Sequence, residues 1–99
     1  MSTTPLVSIA VLKAKTGQRE ALRDALSALV APTRQEPGCL DYTLFELRDE
    51  PGSFYMRESF QDQAALDAHF ATSHFQAFEK RFDALLDAPI RLVFLEKVA

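Results

Sequence analysis

The sequence predicts an α+β domain of the ferredoxin-like type, in which helices cover one face of an antiparallel sheet. Three observations lead to this prediction. Short segments rich in β-branched and aromatic residues alternate with segments of helical periodicity, in the order β-α-β-β-α-β. A turn-forming RDEPGS segment joins the two central strands as a hairpin. The 99 residues suffice for one core, so we expect a single domain over residues 1–99.

The first part of the chain is expected to form a strand and a long helix. Residues 6–12 (LVSIAVL) are apolar and rich in β-branched side chains, which indicates a buried strand. Thr16 is the expected N-cap of the helix. Pro32 should kink or end this helix, and the EPG segment at 36–38 should terminate it. Its apolar residues recur at helical spacing: Ala21, Leu22, Ala25, Leu26, Leu29 and Val30.

The middle of the chain is expected to form a hairpin followed by a short helix. Residues 40–47 and 54–60 are the two strands, with Pro51 and Gly52 at the centre of a type II turn. Asp62 is the expected cap of a helix that continues through residue 70.

A second short helix and a last strand complete the prediction. Ser73 is expected to begin the helix, and Ser73 with Gln76 fits a capping box. Residues 87–89 (DAP) should break the helix, and residues 90–98 should form the strand. The inner stripe of the helix comprises Phe75, Phe78, Phe82, Leu85 and Leu86.

The strands are apolar on both sides, whereas helices in this layout cover only one face of the sheet. In the first strand, Val7, Ile9 and Val11 point away from the side of Leu6 and Leu12. An uncovered apolar face usually marks an interface, so we expect a homodimer joined through its sheets. The alternative is a monomer with an apolar sheet surface.

Composition argues against several classes of function. The formal net charge is −3, and the basic residues are scattered, so we expect no nucleic-acid partner. No apolar segment approaches the roughly 20 residues of a membrane span, and the N-terminus lacks the features of a signal peptide, so we expect no membrane association and a cytoplasmic location. Cys39 is the single cysteine and has no evident base to activate it.

Glu58 is the first candidate functional residue, because it lies within an apolar strand face. Period-two alternation places it on one side with Phe54, Met56 and Phe60. An ionised carboxylate buried there needs a partner or water from a cavity.

His69 is the candidate partner of Glu58. On the predicted helix His69 shares a stripe with Leu66, so it should face inward, where an imidazole suits proton transfer. With Tyr42 from the neighbouring strand, the pair would form a polar site with aromatic walls, suited to a flat phenolic or quinol-like substrate. A structural hydrogen-bonded pair fits the same pattern.

No metal or cofactor site is indicated. His69 and His74 lie five residues apart across a helix break, which is not the i, i+4 spacing of a helical metal pair. The three glycines form no phosphate-binding loop or nucleotide fingerprint.

Residues 35–75 closely resemble the antibiotic biosynthesis monooxygenase family. Within that family the chain is most similar to the small members of the quinol monooxygenase type. Three blocks carry the resemblance. EPGCLDY runs from a helix end into a strand, FYMRESF has a glutamate two residues before an aromatic, and ALDAHFATSHF has a histidine followed by Ser-His-Phe. The flanking strands and helix fit as well, so the resemblance covers essentially the whole chain.

The resemblance implies a ferredoxin-like subunit that pairs sheet to sheet into a dimeric α+β barrel, with a pocket between helices and sheet. It also implies oxidation of a small aromatic substrate by dioxygen without metal, flavin or haem. His69 would be the acid–base or substrate-anchoring group, and Glu58 would orient it. The residues implied to shape the pocket are Tyr42, Met56, Phe60, Leu66 and Phe75.

Departures from the family pattern, and two other functions, also follow from the resemblance. Phe60 stands where many members have tryptophan, and the first strand lacks the asparagine of the haem-degrading members, which argues against haem degradation. An isomerase of a small phosphorylated metabolite would need a cation such as Arg57 or Arg91 at the pocket mouth. A non-catalytic dimeric binding or stress protein would use Glu58 and His69 as a structural pair.

Overall fold

A computed structural model describes residues 4–99 and contains one four-stranded antiparallel sheet with four helices. The strands are β1 (Leu6–Lys13), β2 (Cys39–Glu46), β3 (Ser53–Phe60) and β4 (Arg91–Leu95). The helices are α1 (Arg19–Arg34), α2 (Gln63–Phe70), α3 (Ser73–Glu79) and α4 (Phe82–Leu85). The strand order β2-β3-β1-β4 confirms the predicted ferredoxin-like arrangement. Among the described helices, none combines the length and apolar composition that crossing a membrane requires.

The core lies between the helices and one face of the sheet. On β1, Ala10 and Leu12 are buried in the core, whereas Val7, Ile9 and Val11 on the other side remain partly exposed. Directly opposed residues of neighbouring strands share a face. The register of the sheet therefore gives the second face its own set of apolar side chains, as the alternation predicted.

We call this second surface the open sheet face. Phe45 and Leu95 on it are each 47% exposed and Tyr55 is 37% exposed, which is high for large apolar side chains. Its apolar members across the four strands are Val7, Ile9, Val11, Phe45, Tyr55, Val93 and Leu95, and its polar members are Asp41, Thr43, Arg57, Ser59 and Arg91.

The hairpin turn between β2 and β3 agrees with the prediction. The N–H of Ser53 donates to the carbonyl of Glu50 at 3.1 Å, which closes the turn around Pro51 and Gly52. Gly52 has a φ of 93°, the conformation that the third position of a type II turn requires.

Thr16 does not cap α1, contrary to the prediction. The N–H of Gln18 donates to the carbonyl of Lys15 at 2.9 Å, and Gly17 has a φ of 82°, so Thr16 lies inside a turn. Gln18 is the N-cap residue, and its side chain makes no capping hydrogen bond. Pro32 lies in the last turn of α1, and the helix ends two residues later at Arg34.

The caps of α2 and α3 agree with the prediction in one case and differ in the other. Asp62 caps α2, because its Oδ1 accepts from the N–H of Ala65 at 2.8 Å. At α3 the cap is Thr72 rather than Ser73, and its Oγ1 accepts from the N–H of Phe75 at 3.2 Å. Thr72 has the extended backbone of an N-cap, so Ser73 is already inside the helix.

The last elements are shorter than predicted. The stripe from Phe75 to Leu86 is divided between α3 and α4, since the chain leaves the helix at Lys80 and Arg81. Strand β4 ends at Leu95, not at residue 98, because Leu95 pairs with Val7 and β1 offers almost no further backbone beyond that point.

Candidate active site

A cavity of about 400 Å³ lies between the sheet and the helices. Strands contribute side chains such as Met56 and Leu92 to its wall, and the aromatic part comes from β2 and from all three helices that follow β3. This volume falls in the range of small-molecule sites. The aromatic lining residues are Tyr42, Phe70, Phe75, Phe78 and Phe82.

Glu58 places a carboxyl group in this apolar wall. It is 5% exposed, and its Oε1 has no hydrogen-bond partner among the described residues. Burial, with the nearby charge of Glu36, raises the pKa of Glu58 to about 7. Both the acid and the carboxylate are therefore accessible near neutral pH, which is the property of a general acid or base.

Tyr42 lies directly opposite Glu58 on β2 and also lines the cavity. It is 2% exposed, and burial followed by the charge of Glu58 raises the pKa of its phenol. Tyr42 thus stays a neutral hydroxyl beside the carboxyl group.

His69 lies behind the wall of the cavity rather than in it. It is 1% exposed, and the rings of Tyr42, Phe60, Phe70 and Phe75 surround it with centroid distances of 5.1–5.6 Å. It is not among the residues that line the cavity. Burial lowers its pKa, although the Glu36 carboxylate acts in the opposite direction.

The partner of His69 is Glu36, not Glu58. Nδ1 of His69 lies 2.9 Å from Oε2 of Glu36, and Nε2 of His74 lies 2.6 Å from the same oxygen. Within the described chain no hydrogen bond joins His69 to Glu58. The expected Glu58–His69 contact is replaced because the loop after α1 brings another carboxylate to α2.

Sequence reasoning missed Glu36, because it used the EPG segment as a helix stop and as part of the family resemblance but gave the glutamate no role. The loop packs closely on α2, since a Cβ on Gly38 would lie 2.3 Å from the Cβ of Ala65. That close approach brings Glu36 to His69 across a sequence separation of 33 residues. No local spacing rule could have revealed this contact.

The other predicted site residues divide between the cavity and the core. Met56 and Phe75 line the cavity together with Tyr42 and Glu58, whereas the buried Phe60 and Leu66 do not. Cys39 is half-buried, and burial raises its pKa, so the thiolate is disfavoured.

Comparison with known proteins shows the family. The family model described as antibiotic biosynthesis monooxygenase matches residues 5–81, so this chain belongs to that family. The Bacillus subtilis protein "Putative monooxygenase YcnE" is 37% identical over 91 residues, which are 92% of this chain and 96% of that protein. "Putative monooxygenase Rv0793" of Mycobacterium tuberculosis is 33% identical over 93 residues, or 94% and 91% of the two chains.

Solved structures agree with the fold. The crystal structure of PA3566 from Pseudomonas aeruginosa has a TM-score of 0.94 and 42% identity, and the match covers 100% of this chain and 99% of that one.

One sequence relative is longer than this chain. The uncharacterised Synechocystis protein sll1783 is 33% identical over 88 residues, which are 89% of this chain and 60% of that protein.

Proposed function

We propose that this protein is a cofactor-independent monooxygenase that oxidises a small phenolic or quinol-type aromatic with dioxygen. The observation that carries the proposal is Glu58, a buried carboxyl group with a free oxygen and a pKa of about 7 in an aromatic-walled cavity. Family membership and the monooxygenase names of two relatives support the same reaction class.

In the proposed reaction Glu58 accepts the proton of a substrate hydroxyl group. The phenolate formed is electron-rich and is itself the reductant of dioxygen. One oxygen atom enters the ring, the other leaves as water, and the phenol becomes a quinone, so no external electron donor is needed. The largely apolar lining of the cavity favours the proton transfer, because the negative charge passes from the carboxylate of Glu58 to the delocalised phenolate.

This proposal moves the acid–base role from His69 to Glu58. Glu58 lines the cavity, whereas His69 does not. His69 instead packs edge-on against Tyr42 at a centroid distance of 5.4 Å, so its proposed role is to hold the tyrosine wall in place.

The lining disfavours the isomerase hypothesis. Its ionisable side chains include the carboxyl groups of Glu58 and Glu79, and none of the described lining residues is Lys, Arg or His. A phosphorylated substrate would need a cation. Arg57 lies on the opposite side of β3, where its Nε is 2.6 Å from Oδ2 of Asp41, and Arg91 pairs with Val11 on that same side.

The cavity itself argues against the non-catalytic binding protein with a structural Glu58–His69 pair. That hypothesis expects a filled space between helices and sheet, whereas about 400 Å³ lies there. It also expects Glu58 to be satisfied by the imidazole, which is bonded to Glu36.

We further propose that two copies associate through the open sheet face into a dimeric α+β barrel. The proposed partner is a second copy of this chain, because a two-fold axis places the apolar strip of one copy against the same strip of the other. The exposed Phe45, Tyr55 and Leu95 would be the first side chains covered.

Oxygen uptake by metal-stripped protein tests the proposed activity. We would supply hydroquinones and naphthols and identify the products by mass spectrometry. The wild type should consume oxygen faster than substrate autoxidation, and Glu58→Gln should lower the rate by about 10²–10⁴-fold because it cannot accept the proton. Glu20→Gln, a neutralised exposed carboxylate on α1, is the matched control and should match the wild type. Equal rates for the wild type and Glu58→Gln would refute the assignment of Glu58.

A further inference from the structure

Three side chains from three elements meet outside the cavity, and we call them the Glu36–His cluster: Glu36, His69 and His74. Oε2 of Glu36 lies 2.9 Å from Nδ1 of His69 and 2.6 Å from Nε2 of His74. The three potential ligand atoms all lie within 4.8 Å of one another. None of the three residues lines the cavity.

The corner between α2 and α3 holds both imidazoles on the same side. Oγ1 of Thr72 donates to the carbonyl of His69 at 2.7 Å and accepts from the N–H of Phe75 at 3.2 Å. The aromatic rings around His69 restrict its imidazole further. The sequence spacing of the histidines argued against a metal pair on one helix. The two histidines instead lie on two helices, and the corner between these helices brings their imidazoles close together.

The donor set is that of a transition-metal site. Two imidazole nitrogens and one carboxylate oxygen suit Zn²⁺ and the neighbouring first-row divalent ions, with remaining positions for water. The side chains of His74 and Glu36 are 24% and 12% exposed, so an ion can enter from solvent, whereas His69 is buried at 1%. The hydrogen bonds to Oε2 of Glu36 already hold both imidazole nitrogens close to the same carboxylate oxygen.

We propose that the Glu36–His cluster binds one divalent transition-metal ion of the Zn²⁺ type, which fastens the loop after α1 to the α2–α3 corner. On binding, the ion takes the place of the hydrogen bonds between the two imidazoles and Glu36. Each imidazole stays neutral: the proton of His69 moves from Nδ1 to Nε2, which has no acceptor among the described polar groups, and Nδ1 then offers its lone pair to the ion. The surrounding aromatic rings can receive that N–H weakly, whereas they cannot satisfy a bare lone pair.

Titration of untagged, chelator-treated protein with Zn²⁺ by calorimetry tests this proposal, with Co²⁺ absorption as a second probe. The chain has only two histidines, and both belong to the cluster, so a histidine-dependent signal reports on this site alone. We expect one ion per chain, with His74→Ala and Glu36→Gln each weakening binding by about 10-fold or more. Cys39→Ser is the matched control and should bind as the wild type does, which excludes the nearby thiol as the ligand.

Two further measurements keep the result interpretable. If Glu36→Gln or His74→Ala fails to fold, ¹⁵N spectra of the wild-type imidazoles with and without Zn²⁺ should still show both rings shifting at one equivalent. Zn²⁺ should also raise the melting temperature of the wild type, because only the folded state assembles the site. The proposal is overturned by variants that bind Zn²⁺ as tightly as the wild type, or by imidazole signals that do not change. Oxygen uptake by the metal-stripped enzyme is independent of either result.

Discussion

At the scale of single residues, the fold separates two carboxylates that have different surroundings. Glu36 accepts from two imidazoles, whereas Glu58 has a free Oε1 in an apolar wall. An unpaired buried carboxylate is costly, so Glu58 retains its proton up to a pH near its pKa of about 7. Of these two carboxylates, the one with an unpartnered oxygen is therefore the one that lines the cavity.

Glu58 should make the stability of the protein depend on pH. Its folded-state pKa of about 7 lies above the ordinary value of 4.5, so the folded state binds the proton more tightly than the unfolded state does. The stability of the wild type relative to Glu58→Gln should be greatest below about pH 4.5, fall as the pH rises to about 7, and stay level above it. At about 1.4 kcal/mol per unit difference in pKa, the total fall is roughly 3 kcal/mol.

Urea unfolding of both proteins between pH 4 and 8 measures this difference. The comparison cancels the titration of groups that the two proteins share. A constant difference in the free energy of unfolding across this range would mean that Glu58 is ionised normally in the folded state.

At the scale of elements, the contact between the EPG loop and α2 controls where Glu36 lies. Gly38 is one residue beyond the proline, and its carbonyl accepts from the N–H of Gln61 at 2.8 Å. Its missing side chain is what permits the approach to Ala65. The loop thus ends α1 and also sets the position of Glu36 relative to α2.

Gly38→Ala should destabilise the protein by about 1–3 kcal/mol, the usual cost of overpacking. The added Cβ would lie 2.3 Å from the Cβ of Ala65, so the loop and helix must separate. The conformation of Gly38 itself needs no glycine, because its φ is not positive. Urea unfolding measures the effect.

A double-mutant cycle provides the control for Gly38→Ala. Ala65→Gly alone should cost about 1 kcal/mol, since glycine is unfavourable in a helix. In the Gly38→Ala background the same change should cost less or even stabilise, because it removes the clash. Additive effects would show that steric contact with Ala65 is not the cause.

At the scale of the whole molecule, the sheet has one face in the core and one apolar face outside it. Arg57 lies on the open sheet face 5.3 Å from the ring centroid of Phe45 and forms an ion pair with Asp41. The second cation of this face, Arg91, lies on β4 at the edge of the sheet. An apolar centre with its charge paired and a further charge at the rim is compatible with burial against a second copy.

Ile9→Asp should shift the protein from dimer to monomer. Ile9 lies on β1, between Arg57 of β3 and Val93 of β4, at the middle of the open sheet face. Arg57 is already paired with Asp41, so the added carboxylate would be buried without a free cation of its own, which would oppose association. Sedimentation equilibrium measures the shift, and Ala31→Asp on the exposed side of α1 is the control that should leave association unchanged. A wild type that is monomeric at all concentrations would refute the dimer.

The sequence by itself determined the types and order of the elements and the two faces of the sheet. Period-two alternation on β1 and β3 is a local property, and so is the capping of α2 by Asp62. Glu58 could be recognised as an anomaly because its neighbours at i±2 are apolar. These features depend only on residues a few positions apart, so they can be predicted from the amino-acid sequence alone.

Only the tertiary structure decided which groups meet. The pairing of Glu36 with His69 spans 33 residues, and the choice of Thr72 over Ser73 as a cap depends on where the chain turns out of α2. The cavity lies between the sheet and the helices, and its lining comes from elements far apart in the chain. Contacts of this kind follow from loop lengths and packing angles acting together, and short-range pattern carries almost no information about either.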